Sequence, residues 1–485
     1  YLWIPGQCEQ VKAILVAQHN MEEISILEDE AFRQRMAELD VAQIWVCPSF
    51  NHGFDFTDGA WETLDGLLAD LAEESGYKEL STAPLIAIGH SAAASWPYYL
   101  AAYKPERTLA CISVSGHIIV IAGYVRIFGE NVTSIKFLVW KPWENMNQHI
   151  WSNEGLKERK EHPLLPLSML ACPAEGHFAY TPEKAQYIAL YIKKAMHYGH
   201  VDPTKEGWLM ERWKKNKKPS CIPAPVNQFK GDPAQAFWFF DREMIEATLA
   251  YQSRYYDMKP QLVSVSQNGK TVSQQNTHLQ VHPAFIPQED GITFQLTPVF
   301  LDTVPGESPR LSNWTDLPVG ASVGHAGKTP VLQMITGPAV LVDSVTFRIQ
   351  WNRGTLWTDK KSDIVFSITH PGDEEYKPAV QQAQVTIPVK NTEGQQQYIK
   401  FATLPDIKRG TKYVSLSAVS SCGLPVDFYV ESGPAYVDGN RLILTAIPPK
   451  TTYPVKVTVI AWQYGKNSDP KIKTAEPVKQ TFYIR

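Results

Sequence analysis

The first 200 residues alternate short apolar segments with amphipathic ones, and this alternation constrains the fold more than any other feature. Residues 84–88 are apolar and are bounded by proline and glycine, which is typical of a buried strand. Residues 61–76 place leucines on one face, as an amphipathic helix does: Leu64, Leu67, Leu68 and Leu71. Repeated alternation of this kind predicts a mainly parallel sheet that is covered by helices on both faces.

Polar residues directly follow the predicted strands of this region. They are His19, His52, Ser91, His117, Glu144 and His177. The carboxyl ends of parallel strands meet at one edge of a sheet, and ligands bind at that edge. The sequence therefore predicts a functional site that is built from these residues.

One serine lies in a tight turn between a predicted strand and a predicted helix. The sequence Gly-His-Ser-Ala-Ala at 89–93 fits the pattern G-x-S-x-G, with Ala93 in place of the last glycine. Small residues are needed because strand and helix nearly touch on either side of Ser91. The alanine-rich run that begins at Ala92 predicts a helix, and Pro97 is tolerated in its first turn.

A serine nucleophile requires a base and an acid that orients the base. His177 is the predicted base because it follows the last strand of the region, and Gly176 leaves room for its ring. Glu144 is the predicted acid because it follows the preceding strand, which gives the chain order serine, glutamate, histidine. Other carboxylates stay open as alternatives: Glu130, Glu154 and Glu175, of which the last would point away from the imidazole.

Two backbone N–H groups are expected to stabilise an oxyanion beside the serine. One belongs to Ala92, and the other lies after the first strand, near Asn20 or Met21. The residues expected to line the pocket are histidines and tryptophans: His19, His52, His117, Trp96 and Trp143. Trp143 is a candidate for stacking on a sugar or aryl group, with plain packing as the alternative. The histidines lack the spacing of metal ligands, so neither a metal nor a cofactor is predicted.

Composition excludes some classes of function. A net charge of −4 and a pI of about 6.4 give no indication of a nucleic-acid partner. No apolar stretch is long enough to predict a transmembrane helix. The chain begins at Tyr1, so we expect an N-terminal piece to be processed off or absent. The cysteines lack metal spacing; Cys47, Cys111 and Cys172 are expected to be buried free thiols, with disulfides left open.

The 485 residues predict several domains. After residue 200, prolines mark a linker, and Ala234–Tyr256, with the aromatic run 237–240, is predicted to be a packing helix. Short alternating segments then predict all-β structure. The predicted division is a catalytic domain at 1–200, linker and helix at 201–256, a β-sandwich at 257–395 and a second β-sandwich at 396–485. Residues 117–133 receive no assignment.

Residues 10–200 resemble the α/β-hydrolase family. The resemblance rests on His19-Asn20 after a strand, on the 89–93 motif, on Glu144, and on Gly-His-Phe at 176–178 before a helix. It implies Ser91 as nucleophile, His177 as base and Glu144 as acid, with the oxyanion donors named above.

The C-terminal segment resembles bacterial immunoglobulin-like modules of secreted and surface proteins. This likeness rests on residues 416–418, 423–426 and 461–463. The layout as a whole resembles secreted bacterial esterases that act on glycans, although a fold alone does not fix a substrate.

The predicted function is therefore a serine carboxylic-ester hydrolase that removes acyl or methyl esters from polysaccharide through an acyl-enzyme on Ser91. The predicted location is secreted, periplasmic or at the cell surface. A peptidase or thioesterase would use the same residues. A further alternative, from another class, is a catalytically silent hydrolase-fold protein that binds glycan or a partner in a surface complex.

Overall fold

A computed structural model describes most of the chain. The described residues are 1–116, 136–142, 148–172, 176–178, 180–199, 201–215, 217–253, 255–274, 280–306, 311 and 314–485, with the backbone alone at 136–142 and 148–151.

The first part of the chain forms a mainly parallel sheet. Its strands are β1 (Leu2–Trp3), β2 (Ala13–Gln18), β3 (Val41–Val46), β4 (Leu85–His90), β5 (Thr108–Val114), β6 (Lys136–Pro142) and β7 (Leu167–Cys172). They lie in the order β1-β3-β2-β4-β5-β6-β7. Only the pair β1 and β3 is antiparallel. The strand that leads to Ser91 therefore lies at the centre of the sheet.

Helices cover both faces of this sheet, as the alternation predicts. They are α1 (Glu23–Glu28), α2 (Glu30–Glu38), α3 (Ala60–Ser75), α4 (Trp96–Tyr103), α5 (Gln148–Glu161), α6 (Pro182–His197) and, later, α7 (Arg242–Ser253). On one face, Leu15 of β2 shares a buried core with Phe32 of α2 and Ile188 of α6. On the other face, Val16 shares a core with Leu64 of α3. Alternate strand residues thus bury both sides of the sheet.

The predicted helix over Ala234–Tyr256 is wrong in its first third, residues 234–241. Strands β8 (Trp208–Glu211) and β9 (Ala224–Pro225) are antiparallel to each other, and β8 also pairs with β10 (Ala236–Phe239). The helix α7 begins only at Arg242. All the aromatic residues at 237–240 are buried, and a strand buries successive side chains on opposite faces, which one helix face cannot do.

The rest of the chain is rich in strands that form several sheets, as the alternating pattern predicts. The strands as far as residue 395 are β11 (Val263–Gln267), β12 (Lys270–Thr271), β13 (Gln280–Val281), β14 (Thr293–Gln295), β15 (Thr297–Phe300), β16 (Val331–Thr336), β17 (Ala339–Leu341), β18 (Thr346–Ile349), β19 (Lys361–His370) and β20 (Ala379–Pro388). The later strands are β21 (Ile399–Phe401), β22 (Tyr413–Ser415), β23 (Ala418–Ser420), β24 (Asp427–Ser432), β25 (Ala435–Asp438), β26 (Arg441–Leu444), β27 (Val455–Trp462) and β28 (Val478–Ile484). The sheet orders include β13-β20-β19-β16 and β24-β27-β28.

We call residues 257–395 the middle β region and residues 396–485 the C-terminal β region. Trp462 of the C-terminal β region lies in the same buried core as Trp351 and Phe366 of the middle β region. Phe401 and Leu442 belong to a separate core of the C-terminal β region. The two regions therefore pack closely, while a boundary at 395 and an immunoglobulin-like fold stay predictions.

Both β regions contact the first part of the chain. The hydroxyl of Tyr1 donates to the carbonyl oxygen of Arg353 over 2.7 Å. The N–H of Thr452 donates to the carbonyl oxygen of Ser75, at the end of α3, over 3.1 Å. A Cβ atom on Gly76 would lie 2.4 Å from the carbonyl oxygen of Lys450, so these segments pack backbone against backbone.

The described helices include none that is long and apolar enough to cross a membrane. All the cysteines lie in the described part of the chain and are free thiols. Cys111 and Cys172 are buried, as expected, whereas Cys47 is only half-buried.

Candidate active site

Ser91 lies in a sharp turn directly after β4. Its φ of 51° is in the left-handed region, which costs a residue other than glycine about 1–2 kcal/mol. A Cβ atom on Gly89 would lie 1.9 Å from the carbonyl oxygen of Ala93, so only glycine fits there. The turn continues as one 3₁₀ turn before α4 begins at Trp96, later than the predicted start at Ala92. Backbone strain of this kind is concentrated at functional sites.

His177 lies beside the serine. Its Nε2 atom is 2.6 Å from Ser91 Oγ, and the imidazole is largely buried. The helix that follows begins sharply, because Thr181 accepts a hydrogen bond from the N–H of Lys184 over 3.1 Å and Pro182 lies in the first turn. A base at this distance is in position to accept the serine proton.

Several predicted site residues lie outside the described residues: His117, Glu130, Trp143, Glu144 and Glu175. Strand β6 ends at Pro142, two residues before Glu144 in the sequence. Glu154 lies in α5. The acid of the proposed triad therefore stays a prediction.

The loop after β2 approaches the serine turn. The Nδ2 group of Asn20 donates to the carbonyl oxygen of His90 over 2.5 Å. The loop therefore contacts the residue that directly precedes Ser91. The N–H of Met21 donates to Glu23 Oε2 over 2.9 Å. This bond occupies the Met21 N–H, so the prediction that includes it as an oxyanion donor is corrected in favour of Asn20, whose N–H has no partner among the described residues.

Glu23 is a residue that the sequence analysis missed. Its side chain is buried and accepts two backbone hydrogen bonds, from the N–H of His90 over 2.7 Å and from Met21. One carboxyl group therefore joins the end of β4 to the loop after β2. Burial raises the pKa of Glu23 to about 7. A glutamate in the first turn of a helix is normally exposed, so the sequence carried no signal for this role.

A further buried polar layer lies beneath the two catalytic candidates. His90 is fully buried and its Nε2–H donates to the carbonyl oxygen of His177 over 2.6 Å. Burial lowers the pKa of His90 to about 3, so this imidazole is neutral. Lys184 Nζ lies 3.2 Å from Glu22 Oε1, and neither side chain is exposed. The hydrogen bond from His90 holds the backbone of His177 against the serine turn, and the ion pair joins α6 to the residue before α1.

The predicted pocket residues fall in different places. Trp96 is fully buried in the core, and its Nε1–H donates to the carbonyl oxygen of Ile88 over 3.0 Å, so its assignment to the pocket is wrong. The first turn of α4 faces the sheet, which explains this burial. The ring of His19 packs edge-on against Trp45, and His52 Nε2 lies 2.9 Å from the carbonyl oxygen of His19. Burial also lowers the pKa of His19.

A cleft of about 1710 Å³ lies between the first part of the chain and both β regions. Its lining includes His19 and Asn20, from the loop beside the serine turn, but neither Ser91 nor His177, and it extends to Tyr436 in the C-terminal β region. The lining holds five acidic and five basic residues, and two of the ion pairs among them join Arg353 to Glu28 and Arg348 to Asp427. Small-molecule pockets are usually about 300–1,000 Å³, so this cleft has room for a longer ligand.

Within the described ranges, no group of three or more histidine, cysteine, aspartate or glutamate residues could hold a metal ion.

No protein-family model matches the sequence, and no curated protein sequence matches it. Among solved structures, the chain is similar to esterase PE8 at 15% identity and a TM-score of 0.32, over 40% of this chain and 97% of that chain. It is also similar to ferulic-acid-bound Est1E from Butyrivibrio proteoclasticus, at 14% identity and a TM-score of 0.28 over 41% and 94%. An S-formylglutathione hydrolase from Agrobacterium tumefaciens shows 12% identity and a TM-score of 0.31 over 41% and 88%. Values this low assign no activity to this chain.

Proposed function

We propose that this chain is a serine hydrolase that cleaves carboxylic esters through an acyl-enzyme on Ser91. The observation that carries the proposal is the 2.6 Å distance between Ser91 Oγ and His177 Nε2, at a serine whose φ is 51°. A serine hydroxyl is a weak nucleophile until an adjacent base accepts its proton. The turn holds the hydroxyl of Ser91 beside the imidazole of His177, and this imidazole is the adjacent base.

Each step has a residue assigned to it. His177 takes the hydroxyl proton while Ser91 Oγ attacks the ester carbonyl, and it later returns the proton to the leaving alcohol. The N–H groups of Ala92 and Asn20 stabilise the oxyanion, and loss of one such donor typically lowers turnover by about 10²–10³. Glu144 orients the imidazole. Water then attacks the acyl-enzyme, with His177 again as base, and releases the acid.

The proposed substrate is an ester carried by an uncharged polysaccharide. The cleft of about 1710 Å³ supports a long ligand, and the equal numbers of acidic and basic residues in its lining, five of each, favour a neutral one. Aromatic residues such as Trp3 and Tyr436 line it and offer faces on which sugar rings can stack. A protein with this substrate would work outside the cytoplasm, so we propose a secreted, periplasmic or cell-surface location.

The first test is labelling with a fluorophosphonate probe, followed by hydrolysis of an aryl acetate. We expect the wild type to be labelled and active, and both properties to be lost in Ser91→Ala and in His177→Ala. A wild type that is neither labelled nor active would refute the proposal and favour a silent glycan-binding or scaffold protein. Faster cleavage of a peptide or thioester than of an ester would favour the peptidase or thioesterase alternative.

The substrate class has its own test. Tyr436 lines the cleft and is 54% exposed, whereas Tyr398 is 70% exposed and is not part of the lining. We expect Tyr436→Ala to raise KM for acetylated polysaccharide several-fold and to leave aryl acetate hydrolysis unchanged. Tyr398→Ala should change neither. Equal kinetics of all three proteins on the polymer would refute the role of the cleft.

A further inference from the structure

The middle β region contacts the segment that carries the catalytic histidine. Phe178 directly follows His177 and lies in one buried cluster with Ile335 of β16 and Val365 of β19. In the sheet β13-β20-β19-β16, neighbouring residues of β19 such as Phe366 face the core of the middle β region. Val365 therefore belongs to the outward face of this sheet, and that face packs against the histidine segment.

A second contact lies immediately before the histidine. A Cβ atom on Gly176 would lie 2.4 Å from Cδ of Gln382 in β20. The space at Gly176 is thus taken by Gln382, which corrects the prediction that this glycine makes room for the imidazole of His177. Gln382 pairs with Ser367 across the sheet and belongs to the same outward face as Val365.

The same face also contacts the loop after β2. The Ser25 hydroxyl, in α1, donates to the carbonyl oxygen of Ile335. Met21 packs against the cluster of Phe178, Ile335 and Val365. One sheet face therefore contacts both sides of the candidate site, the histidine segment and the loop that carries Asn20.

Gln382 has an unusual environment. Its side chain is fully buried, and neither Nε2 nor Oε1 has a hydrogen-bond partner within the part of the chain that the structure describes. A buried amide without partners lowers stability, and an apolar side chain of the same length would avoid that cost. Native proteins keep few such groups, and those that they keep require an explanation.

We propose that the outward face of this sheet completes the catalytic centre, with Gln382 as a positioning residue for the Gly176–His177 segment. The inference rests on the proposed function, because it concerns the alignment of His177 with Ser91. The 2.6 Å distance between these residues allows little displacement, and a shift of about 1 Å near reacting groups can lower the rate about 10²-fold. The middle β region is then part of the enzyme's machinery rather than an appended module.

The first test separates positioning from packing. Gln382→Met keeps the length and removes the unpartnered amide, so we expect a Tm about 2 °C or more higher than that of the wild type. Its kcat on aryl acetate should stay within twofold, because the Met sulfur can take the place of Cδ against Gly176. Gln382→Ala removes Cγ and Cδ, and we expect its kcat to fall about 10-fold, with KM within twofold and a shifted acidic limb in the pH profile of kcat/KM. Gln480→Met, in β28 of the C-terminal β region, is the control and should leave kcat, KM and the pH profile unchanged. A Gln382→Ala protein with wild-type kcat and pH profile would overturn the positioning role.

The second test measures the contact itself. Gly176→Ala brings its methyl group against Gln382 and should lower both Tm and kcat, the latter by about 10²-fold. Adding Gln382→Ala removes the collision and should restore most of the loss, so the two substitutions are strongly non-additive. Additive effects, or a Gly176→Ala protein with wild-type properties, would overturn the inference. If the wild type hydrolyses aryl acetate, additive effects of the two substitutions refute only this inference. A wild type that neither reacts with the fluorophosphonate probe nor hydrolyses aryl acetate refutes the proposed function, whatever the Tm values show.

Discussion

Glu23 should make the stability of this protein fall as the pH rises from weakly acidic to neutral. Burial raises its pKa from 4.5 to about 7. Between these values the folded state holds a proton that the unfolded state has released. The stability from this group is therefore complete below pH 4.5 and is lost as the pH rises through about 7. A shift of this size corresponds to a change in the free energy of unfolding on the order of 3 kcal/mol.

The informative substitution is Glu23→Gln. At pH 5 the variant should be the less stable protein, because the N–H groups of His90 and Met21 donate to different oxygens of Glu23 and an amide offers an acceptor to only one of them. By pH 8 the wild type carries a buried carboxylate, whereas the amide stays neutral. The variant should therefore gain on the order of 3 kcal/mol relative to the wild type over this interval.

Urea unfolding at a series of pH values from 5 to 8 measures this difference directly. Glu38→Gln, at an exposed glutamate of α2, is the matched control for the change of charge. Parallel curves of stability against pH for the wild type and Glu23→Gln would refute the reasoning, because they would show that Glu23 does not titrate in this interval.

Two further predictions concern the serine turn and the polar layer beneath it. Because the φ of residue 91 is 51°, Ser91→Gly should be more stable than Ser91→Ala by about 1 kcal/mol in urea unfolding, and equal stabilities would show that the turn is not strained in solution. Lys184→Met leaves Glu22 buried without its ammonium partner and should cost about 3–5 kcal/mol. The double variant Glu22→Leu, Lys184→Met should recover most of that loss, and a double variant as unstable as the single one would contradict this account.

Local sequence patterns predicted the central sheet and the serine turn. The continuous apolar runs before Ser91 and His177 indicated buried parallel strands; Ser91 directly follows the end of β4, and His177 lies five residues after the end of β7. The small residues around Ser91 were predicted for a steric reason. The structure shows the reason at Gly89, where an added Cβ atom would lie 1.9 Å from the carbonyl oxygen of Ala93. These features depend on residues close together in the sequence.

The features that the sequence did not predict depend on residues far apart. Trp96 is predicted to line the pocket, but the orientation of α4, which carries it, is set by packing on the sheet. The burial of Glu23 depends on the N–H of His90, 67 residues later in the chain. Residue 176 must be small because Gln382, far away in the sequence, occupies the space beside it. No local periodicity carries information about such partners.

The contact between Gly176 and Gln382 joins parts of the chain that leave the ribosome at different times. The serine, the histidine and the loop of Asn20 all lie within the first 200 residues, whereas the sheet that holds them is synthesised later. At about 5–20 residues per second, roughly 200 further residues take about 10–40 s to synthesise. On the proposal above, His177 is not yet fully aligned with Ser91 during that interval. The enzyme therefore reaches its full rate only when most of its chain has been made.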